Sequence, residues 1–258
     1  STLGRGGSDT TAVALAAALH ADKCEIYTDV DGVYTADPRI VKNARKIDEI
    51  IYDEMLELAT SGAKVLHNRS VEMAKKYGVE LVVRSSLTSE EGTVVKEVVK
   101  MEKMLITGVA ADRNTVRISA IGVKDEPGIA FKLFNTLARN NINVDIILQS
   151  VGRNGTKDIS FTVSEDDLQE ALQILEEKKD VLTIKEITYS TDVAKVSIVG
   201  AGMLSNPGVA AKMFESLFNS NINISMISTS EIRITVLIDE KDTEKAMIAI
   251  HDGFGLND

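Results

Sequence analysis

The sequence predicts an α/β sheet with flanking helices, forming part of a domain, followed by two α+β repeats of ferredoxin-like plan. Two patterns predict this class. Over residues 1 to 100 short apolar runs alternate with helical patterns, and farther along the chain one strand-and-helix block occurs twice, with Pro127 and Pro207 at equivalent positions. At 258 residues the chain is long enough for two or three small domains, each with its own core.

The chain opens on a glycine-rich loop, residues 3–9, that leads into an alanine-rich helical pattern over residues 12–19. Glycine lets backbone N–H groups approach a ligand, and a helix N-terminus adds partial positive charge, so the pattern predicts an anion site. Arg5 could bind a carboxylate or phosphate through its guanidinium fork, and Asp9 a substrate ammonium group. The alternative is a simple glycine turn with Ser8 or Asp9 as an ordinary N-cap. Because a domain rarely begins on such a loop, we expect a further segment to precede it.

Strands and helices alternate through the rest of this first part. The sequence predicts strands at 23–28 and 80–84, a polar loop at 29–37, and helices at 52–59 and 68–77 that stop before Gly62 and Gly78. Such alternation predicts a largely parallel sheet covered on both faces. The charged stretch 96–103 is interpreted as a linker.

The repeat that follows has the same order of elements in both copies. Residues 116–118, 127–134 and 141–144 align with residues 196–198, 207–214 and 221–224. The copies then continue into predicted strands at 159–163 and 232–236, and predicted helices at 167–178 and 243–251. Each copy therefore has the order strand, Pro-Gly turn, helix, strand, strand, helix. This order is the ferredoxin-like βαββαβ plan once a last strand is added.

Composition argues against several functions. A formal net charge of −10 disfavours a nucleic-acid or anionic-membrane partner, and no apolar run approaches the roughly 20 residues of a membrane span. Cys24 is the single cysteine, which excludes an internal disulfide framework and favours a reducing cytoplasm. No signal peptide is visible. His20, His67 and His251 have no carboxylate or thiol at ligand spacing, so no structural transition-metal site is expected.

Three segments in order, residues 3–9, 28–39 and 62–67, resemble aspartate kinase, and the two repeats resemble the ACT domains that follow its catalytic domain. The resemblance covers essentially the whole chain. It implies an amino-acid-kinase-like fold and ATP-dependent phosphorylation of the side-chain carboxylate of L-aspartate to 4-phospho-L-aspartate, the first step toward lysine, threonine and methionine. It also implies feedback by lysine and/or threonine at ACT interfaces, in a homodimer at least, because ACT sheets pair across subunits.

The same resemblance implies the domain boundaries. Residues 1–100 would be the C-terminal, nucleotide-binding part of the kinase domain with its linker. Residues 101–186 would be the first ACT domain and residues 187–258 the second. Residues 104–111 would contribute a strand to the second ACT domain, making that domain discontinuous.

By resemblance, the chain's kinase part binds both substrates but retains no assigned catalytic residue. L-Aspartate would be bound by Arg5, Ser8 and Asp9. ATP would be bound by Thr28, Asp29, Tyr34, Arg39 and Lys64, with Tyr34 near the adenine and with Arg39 and Lys64 at the phosphates. Mg²⁺ would accompany ATP through its phosphates and waters. Each of these residues, taken singly, also has a simpler interpretation. Tyr34 could serve only in packing, Asp37-Pro38 could be a common turn, and Lys64 could be a solvated surface lysine.

The repeats are the predicted effector sites. Pro127-Gly128 and Pro207-Gly208 each turn a strand into a helix and expose N–H donors suited to an amino-acid carboxylate. The first copy would contribute Asp125, Ala130, Asn143, Val144, Asp145 and Gln149, and the second Val209, Ala210, Asn223, Ile224, Ser230 and Glu231. The carboxylates of Asp125 and Asp145 favour lysine as the effector. The alternative is that the Asn-Ile-Asn segments are simply helix-to-strand turns, since asparagine tolerates left-handed geometry.

The sequence departs from the family pattern in two places, and only the first bears on activity. The family's lysine-bearing Lys-Phe-Gly-Gly loop is absent from this sequence, and one preorganised donor is typically worth roughly 3–4 kcal/mol of barrier. We therefore expect the chain alone to be inactive or nearly so. Asn68 stands where the family commonly has proline. Two alternatives stay open: a non-catalytic, amino-acid-sensing subunit that partners a complete kinase, and another carboxylate or carbamate kinase of the same fold.

Overall fold

A computed structural model describes residues 6–98, 105–152 and 154–257. The chain forms two compact units. The first comprises Ser1–Ala111, Val196–Val236 and Asp242–Asp258, and the second Asp112–Lys195 and Leu237–Lys241. Within the described ranges, no helix combines the length and the apolar character needed to cross a membrane.

The first unit begins with a four-stranded sheet and three helices. In chain order these are α1 (Gly7–Ala18), β1 (Lys23–Thr28), β2 (Glu49–Ile51), α2 (Tyr52–Thr60), α3 (Asn68–Tyr77), β3 (Glu80–Ser85) and β4 (Thr93–Lys96). The strand order is β1-β3-β4-β2. The predicted strands at 23–28 and 80–84 and helices at 52–59 and 68–77 are confirmed. Val13, Met55, Leu58, Val71 and Leu81 share one core beneath them.

The predicted parallel arrangement is right for two pairings and wrong for one. β1 pairs with β3 and β2 with β4 in parallel, whereas β3 and β4 are antiparallel. The loop 86–92 between β3 and β4 contains no helix, and a parallel pair needs a crossover connection. Leu81, Val82 and Val83 are consecutive and all buried, so β3 is covered on both faces as expected.

The predicted linker does not begin at residue 96. Lys96 is the last residue of β4 and pairs with Ile51 of β2. Residues 99–103 of that stretch lie outside the described residues. The next strand is β5 (Gly108–Asp112).

The first repeat lies in the second unit and forms its own sheet. Its elements are β6 (Val116–Lys124), α4 (Ile129–Ala138), β7 (Ile147–Gln149), β8 (Thr156–Val163), α5 (Leu168–Glu177) and β9 (Glu186–Ser190), with the strand order β7-β8-β6-β9. All three pairings are antiparallel. Ile118, Leu133, Phe161 and Leu175 fill the core between sheet and helices.

The second repeat has the same order of elements. It consists of β10 (Val193–Val199), α6 (Val209–Asn219), β11 (Met226–Thr229), β12 (Arg233–Asp239) and α7 (Thr243–Phe254). The strand order is β11-β12-β10-β5, so β5 takes the place beside β10 that β9 takes beside β6. The fourth strand of this sheet therefore comes from chain that precedes the first repeat. The ferredoxin-like plan predicted from the sequence repeat is confirmed in both copies.

Candidate functional site

The N-termini of α1 and α3 lie against each other. Gly6 is the N-cap of α1, in the left-handed region at φ 73°, and His67 is the N-cap of α3. A Cβ added to Gly6 would lie 2.3 Å from Cγ of His67, so glycine is required where the imidazole packs. The glycine-rich loop and the segment 62–67, two of the three motifs, therefore meet in the fold.

This meeting point lies at the carboxyl edge of two parallel strands. α1 leads into β1 and α3 into β3 through short connections, and β1 and β3 pair in register from Lys23 opposite Glu80 to Thr28 opposite Ser85. A helix that returns directly into the next strand has its N-terminus near that strand's carboxyl end. Helix N-termini attract anions, and open α/β sheets bind ligands outside the carboxyl ends of their strands.

The residues predicted to bind aspartate lie in the first turn of α1. Ser8 is exposed and Asp9 is half-buried, and the Ser8 hydroxyl donates to Asp9 Oδ1 over 3.3 Å. Their interpretation as ordinary N-caps is wrong, because Gly6 is the N-cap and no side chain caps the helix. A carboxylate in the first turn interacts favourably with the helix dipole. Arg5 lies outside the described residues.

Thr28 and Asp29 mark the carboxyl end of β1. The Thr28 hydroxyl donates to Asp29 Oδ1 over 2.9 Å and accepts from the Val30 amide over 3.3 Å. The Thr28 carbonyl accepts from both the amide (2.9 Å) and the hydroxyl (3.1 Å) of Ser86, the first residue after β3. Ser86 was not singled out from the sequence, because a serine after a strand is too common to signal a contact.

Tyr34 lies in the loop between β1 and β2, residues 29–48, called here the β1–β2 loop. Its hydroxyl donates to Asp31 over 3.0 Å, and burial, followed by Asp31 and then Glu90, raises the Tyr34 pKa. Thr93 of β4 fixes this part of the loop. Its buried hydroxyl accepts from the Val33 amide over 2.8 Å and donates to the Ile47 carbonyl over 2.6 Å.

Arg39 and Lys64, the two cations assigned to phosphate, are both exposed. The Arg39 guanidinium forks onto Asp37, with Nε 3.0 Å from Oδ1 and Nη2 2.7 Å from Oδ2. This hydrogen bonding lowers the pKa of Asp37 and raises the pKa of Arg39. Lys64 lies in the turn that precedes His67.

The β1–β2 loop is also anchored to the second repeat, within the first unit. Thr35 Oγ1 lies 2.9 Å from Nε2 of His251 in α7, and both side chains are buried. Asn43 Nδ2 donates to Asp252 over 3.3 Å, and Arg45 Nε donates to the Leu256 carbonyl over 3.2 Å. Burial lowers the pKa of His251. The sequence shows His251 only as a scattered histidine and carries no signal for this contact.

The effector residues expected in the first repeat include two carboxylates that are already ion-paired. Asp125 Oδ1 lies 3.0 Å from Lys157 Nζ, and Asp145 Oδ2 lies 2.6 Å from Lys195 Nζ. Ala130 and Val144 are half-buried, whereas Asn143 and Gln149 are exposed. Gly128, at φ 88°, is the N-cap of α4, and a Cβ built there meets no atom within 4 Å, so this helix N-terminus is open to a ligand.

The second repeat has the same open helix start at Gly208, at φ 94°. Val209 is buried, Ala210 and Ile224 are half-buried, and Asn223, Ser230 and Glu231 are exposed.

The left-handed turn accounts for only one asparagine of each Asn-Ile-Asn segment. Asn141 and Asn221 have positive φ, at 59° and 52°, whereas Asn143 and Asn223 do not. The turn interpretation therefore leaves the two predicted effector asparagines unexplained.

The residues described contain no group of three or more His, Cys, Asp or Glu side chains placed to hold a metal ion. Thr28 and Asp29 nevertheless offer a hydroxyl and a carboxylate oxygen at the edge where the two helix N-termini converge. Hard oxygen ligands of this kind suit Mg²⁺ that arrives with a nucleotide and keeps several waters.

Comparison with known proteins identifies related sequences for both parts of the chain. The amino acid kinase family model matches residues 1–85, and an ACT domain model matches residues 116–178 and 196–254. The aspartokinase of Bacillus sp. strain MGA3 is 54% identical over 257 residues, which cover 99% of this chain and 62% of that protein. The chain thus spans less than two thirds of this curated relative.

Solved structures show the same relationship. E. coli aspartokinase III in complex with aspartate and ADP is 32% identical, with a TM-score of 0.85 over 98% of this chain and 57% of its own. Its complex with lysine and aspartate gives a TM-score of 0.77. The regulatory subunit of aspartate kinase from Thermus thermophilus is 44% identical, with a TM-score of 0.55, over 58% of this chain and 99% of its own.

Proposed function

Because this chain belongs to the aspartate kinase family, we propose that it supplies the nucleotide-binding part and two regulatory ACT repeats of an enzyme that phosphorylates the side-chain carboxylate of L-aspartate with ATP. The contact between Gly6 and His67 carries the proposal. It joins two helix N-termini at one strand edge, which supports an anion site built from separate motifs.

Phosphoryl transfer requires positioning and positive charge more than covalent chemistry from the protein. In this proposal Lys64, Arg39 and the N–H groups of α1 and α3 neutralise the phosphates. Tyr34 lies near the adenine, and Thr28 and Asp29 face the Mg²⁺ that the nucleotide carries. Asp9 binds the ammonium group of aspartate and Ser8 orients Asp9, while Arg5 takes the substrate carboxylate.

We propose that the 258-residue chain binds nucleotide but turns over little or no aspartate, since its sequence lacks the family's lysine-bearing loop. Calorimetry with MgADP and a coupled ADP-release assay with aspartate separate the two statements. We expect saturable MgADP binding without turnover. Turnover at the rate of a complete aspartokinase would contradict the second statement, and absence of MgADP binding would contradict the first.

The ACT repeats are proposed to bind an amino-acid effector, in a cytoplasmic homodimer or larger oligomer. Asp125 and Asp145 are carboxylates that accept an ammonium group, as their ion pairs with Lys157 and Lys195 illustrate, and the ammonium group of free lysine would have to displace these partners. The lysine complex of E. coli aspartokinase III supports lysine as the effector. Calorimetry of the chain with lysine and with threonine tests it: lysine should bind, and binding of threonine with a silent lysine titration would show the choice to be wrong.

A second function, a regulatory subunit that partners a complete kinase, is favoured by one observation. The T. thermophilus regulatory subunit matches this chain over 99% of its own length. In that role the chain would bind lysine or threonine but not MgADP, and it would change the effector response of a complete aspartokinase mixed with it. Binding of MgADP by the chain favours the first proposal.

A further inference from the structure

Thr35 of the β1–β2 loop forms hydrogen bonds through its amide, its carbonyl and its hydroxyl, and it is 1% exposed. Its amide donates to the Arg45 carbonyl over 2.8 Å, and its carbonyl accepts from the Val109 amide of β5 over 2.8 Å. Its hydroxyl accepts from the Arg45 amide over 3.0 Å and contacts His251 Nε2 over 2.9 Å. One side-chain oxygen therefore links two parts of the loop to α7 of the second repeat.

The imidazole of His251 is completely buried, and its two nitrogens face different groups. Nε2 faces the Thr35 hydroxyl, whereas Nδ1 lies 3.9 Å from the Asp252 carboxylate. A proton on Nδ1 is attracted by Asp252, so we assign the neutral tautomer with Nε2 as acceptor and the Thr35 hydroxyl as donor. A buried donor and acceptor that satisfy each other hold one geometry, because losing either leaves the other unpaired.

We propose that Thr35 and His251 are positioning residues for nucleotide binding: the second repeat, through α7, sets the conformation of the loop that presents Tyr34 and Arg39. Thr35 directly follows Tyr34, and the Asp37–Arg39 fork lies two residues beyond it. This inference rests on the proposed nucleotide function. By this inference, nucleotide binding by one domain depends on a side chain of another. The family models assign Thr35 to the amino acid kinase domain and His251 to an ACT domain.

Removing the bond loosens the loop before the nucleotide arrives, and the nucleotide must then order it. Ordering a loop on binding lowers affinity without removing any direct contact. We therefore expect Thr35→Val, which keeps the shape and loses the hydroxyl, to weaken MgADP binding about tenfold. Thr35→Ser keeps the hydroxyl and should restore affinity to within about threefold of the unchanged chain.

The experiment combines calorimetry with MgADP and amide hydrogen exchange on the 258-residue chain. Thr35→Val and His251→Leu should each accelerate exchange at the Arg45 and Val109 amides, whose acceptors belong to Thr35. Both changes remove the bond between Thr35 and His251, and Thr35→Val alone also removes the acceptor of the Arg45 amide. The double variant should therefore bind MgADP about as tightly as Thr35→Val does. Fully additive losses would overturn the proposal.

Thr162→Val provides a matched control. Thr162 is also 1% exposed, and its hydroxyl accepts from the Ile146 amide over 3.0 Å, but it lies in β8 of the first repeat. This variant should leave both MgADP affinity and exchange in the β1–β2 loop unchanged.

Two results would overturn the positioning role. In the first, Thr35→Val has the same MgADP affinity and the same amide hydrogen exchange as the unchanged chain. In the second, Thr35→Ser fails to restore the MgADP affinity and the exchange rates. If the unchanged chain binds no MgADP, the proposed nucleotide function fails, and exchange at Arg45 and Val109 alone then decides whether the bond positions the loop.

Discussion

Lys64 is exposed, so its contribution to binding can be separated from stability. If it reaches the nucleotide phosphates, Lys64→Ala should weaken MgADP binding about tenfold, since a charged hydrogen bond is worth about 1.5–3 kcal/mol. The free energy of unfolding should change by less than about 0.5 kcal/mol, as expected for a surface residue. Calorimetry and urea unfolding measure the two quantities.

Lys75→Ala is the matched control for this prediction. Lys75 is also a surface lysine of the first unit, paired with Asp53, and no motif assigns it to the nucleotide. It should leave MgADP affinity unchanged. Equal affinities for both variants and the unchanged chain would remove Lys64 from the site.

His251 should make stability depend on pH. Burial is the main cause of its lowered pKa, partly opposed by Asp252, while Arg45 lowers it further. The unfolded chain therefore binds the extra proton first. The stabilisation from the neutral imidazole is complete above about pH 6.5, the ordinary histidine pKa, and is lost as pH falls toward the lower folded pKa.

Urea unfolding between pH 7.5 and 5 tests this sign. His251 should contribute a slope of at most about 1.4 kcal/mol per pH unit, the limit for one proton. His251→Gln should remove that part of the slope, while His20→Gln, at an exposed position, should keep it. An unchanged slope in His251→Gln would contradict the prediction.

Sequence reasoning at this scale succeeds where residues act within a local motif and fails where the partner is distant. Ser8, Asp9 and His67 have roles or contacts within the motif segments, whereas Thr35, although it lies in the segment 28–39, bonds to His251, 216 positions away and outside every motif. Neither residue's own segment indicates which distant residue it contacts. Only packing brings them together, so no local pattern could have predicted the pair.

Among the elements, α1 depends on a glycine for two separable reasons. Gly6 has a left-handed φ of 73° and leaves no room for a Cβ beside His67. Gly78, the C-cap of α3, shares only the first reason, because its φ is 66° but no atom lies within 4 Å of an added Cβ. Gly78→Ala should therefore cost about 1–2 kcal/mol of unfolding free energy from backbone strain alone. Gly6→Ala should cost more and also weaken MgADP binding.

Urea unfolding and calorimetry of the two alanine variants check this pair. A similar cost for both, with MgADP affinity retained in Gly6→Ala, would show that the packing of His67 on Gly6 does not shape the anion site.

Element boundaries were predictable where turn chemistry marks them. α3 ends at Gly78 in the left-handed region, as its sequence indicates, and both repeats start their first helix after Pro-Gly. β2 and β4 are absent from the sequence prediction because they are only three and four residues long, too short for a periodic pattern. Their pairing depends on tertiary contacts with each other and with β3, which local propensity does not encode.

For the molecule as a whole, α2 offers a second connection between the part of the chain that matches the amino acid kinase family and the second repeat. Glu54 Oε1 accepts from the Ala201 amide over 2.7 Å, and Glu57 Oε2 lies 2.9 Å from Arg233 Nη1. Ala201 precedes the Pro207-Gly208 turn, and the Arg233 carbonyl accepts from the Ser230 amide. Both contacts therefore reach segments that carry predicted effector residues.

Glu57→Gln should reduce the coupling between effector and nucleotide. We expect the change in MgADP affinity caused by saturating lysine to shrink by about threefold, with lysine affinity in the absence of nucleotide nearly unchanged. Because coupling between two sites is reciprocal, MgADP should alter lysine affinity by the same reduced factor. Calorimetry with lysine added before MgADP, and with MgADP added before lysine, measures this coupling. Glu177→Gln on α5 is the control. Undiminished coupling in Glu57→Gln would exclude a path through the contact between Glu57 and Arg233.

The long separation between Thr35 and His251 also governs when the molecule matures during biosynthesis. A ribosome must add 216 residues after Thr35 before its imidazole partner exists. At ordinary elongation rates that takes about 10–40 s. Until α7 has been synthesised, the β1–β2 loop of a nascent chain lacks its contact with His251, and by the proposal above it would bind nucleotide about tenfold more weakly than the finished chain.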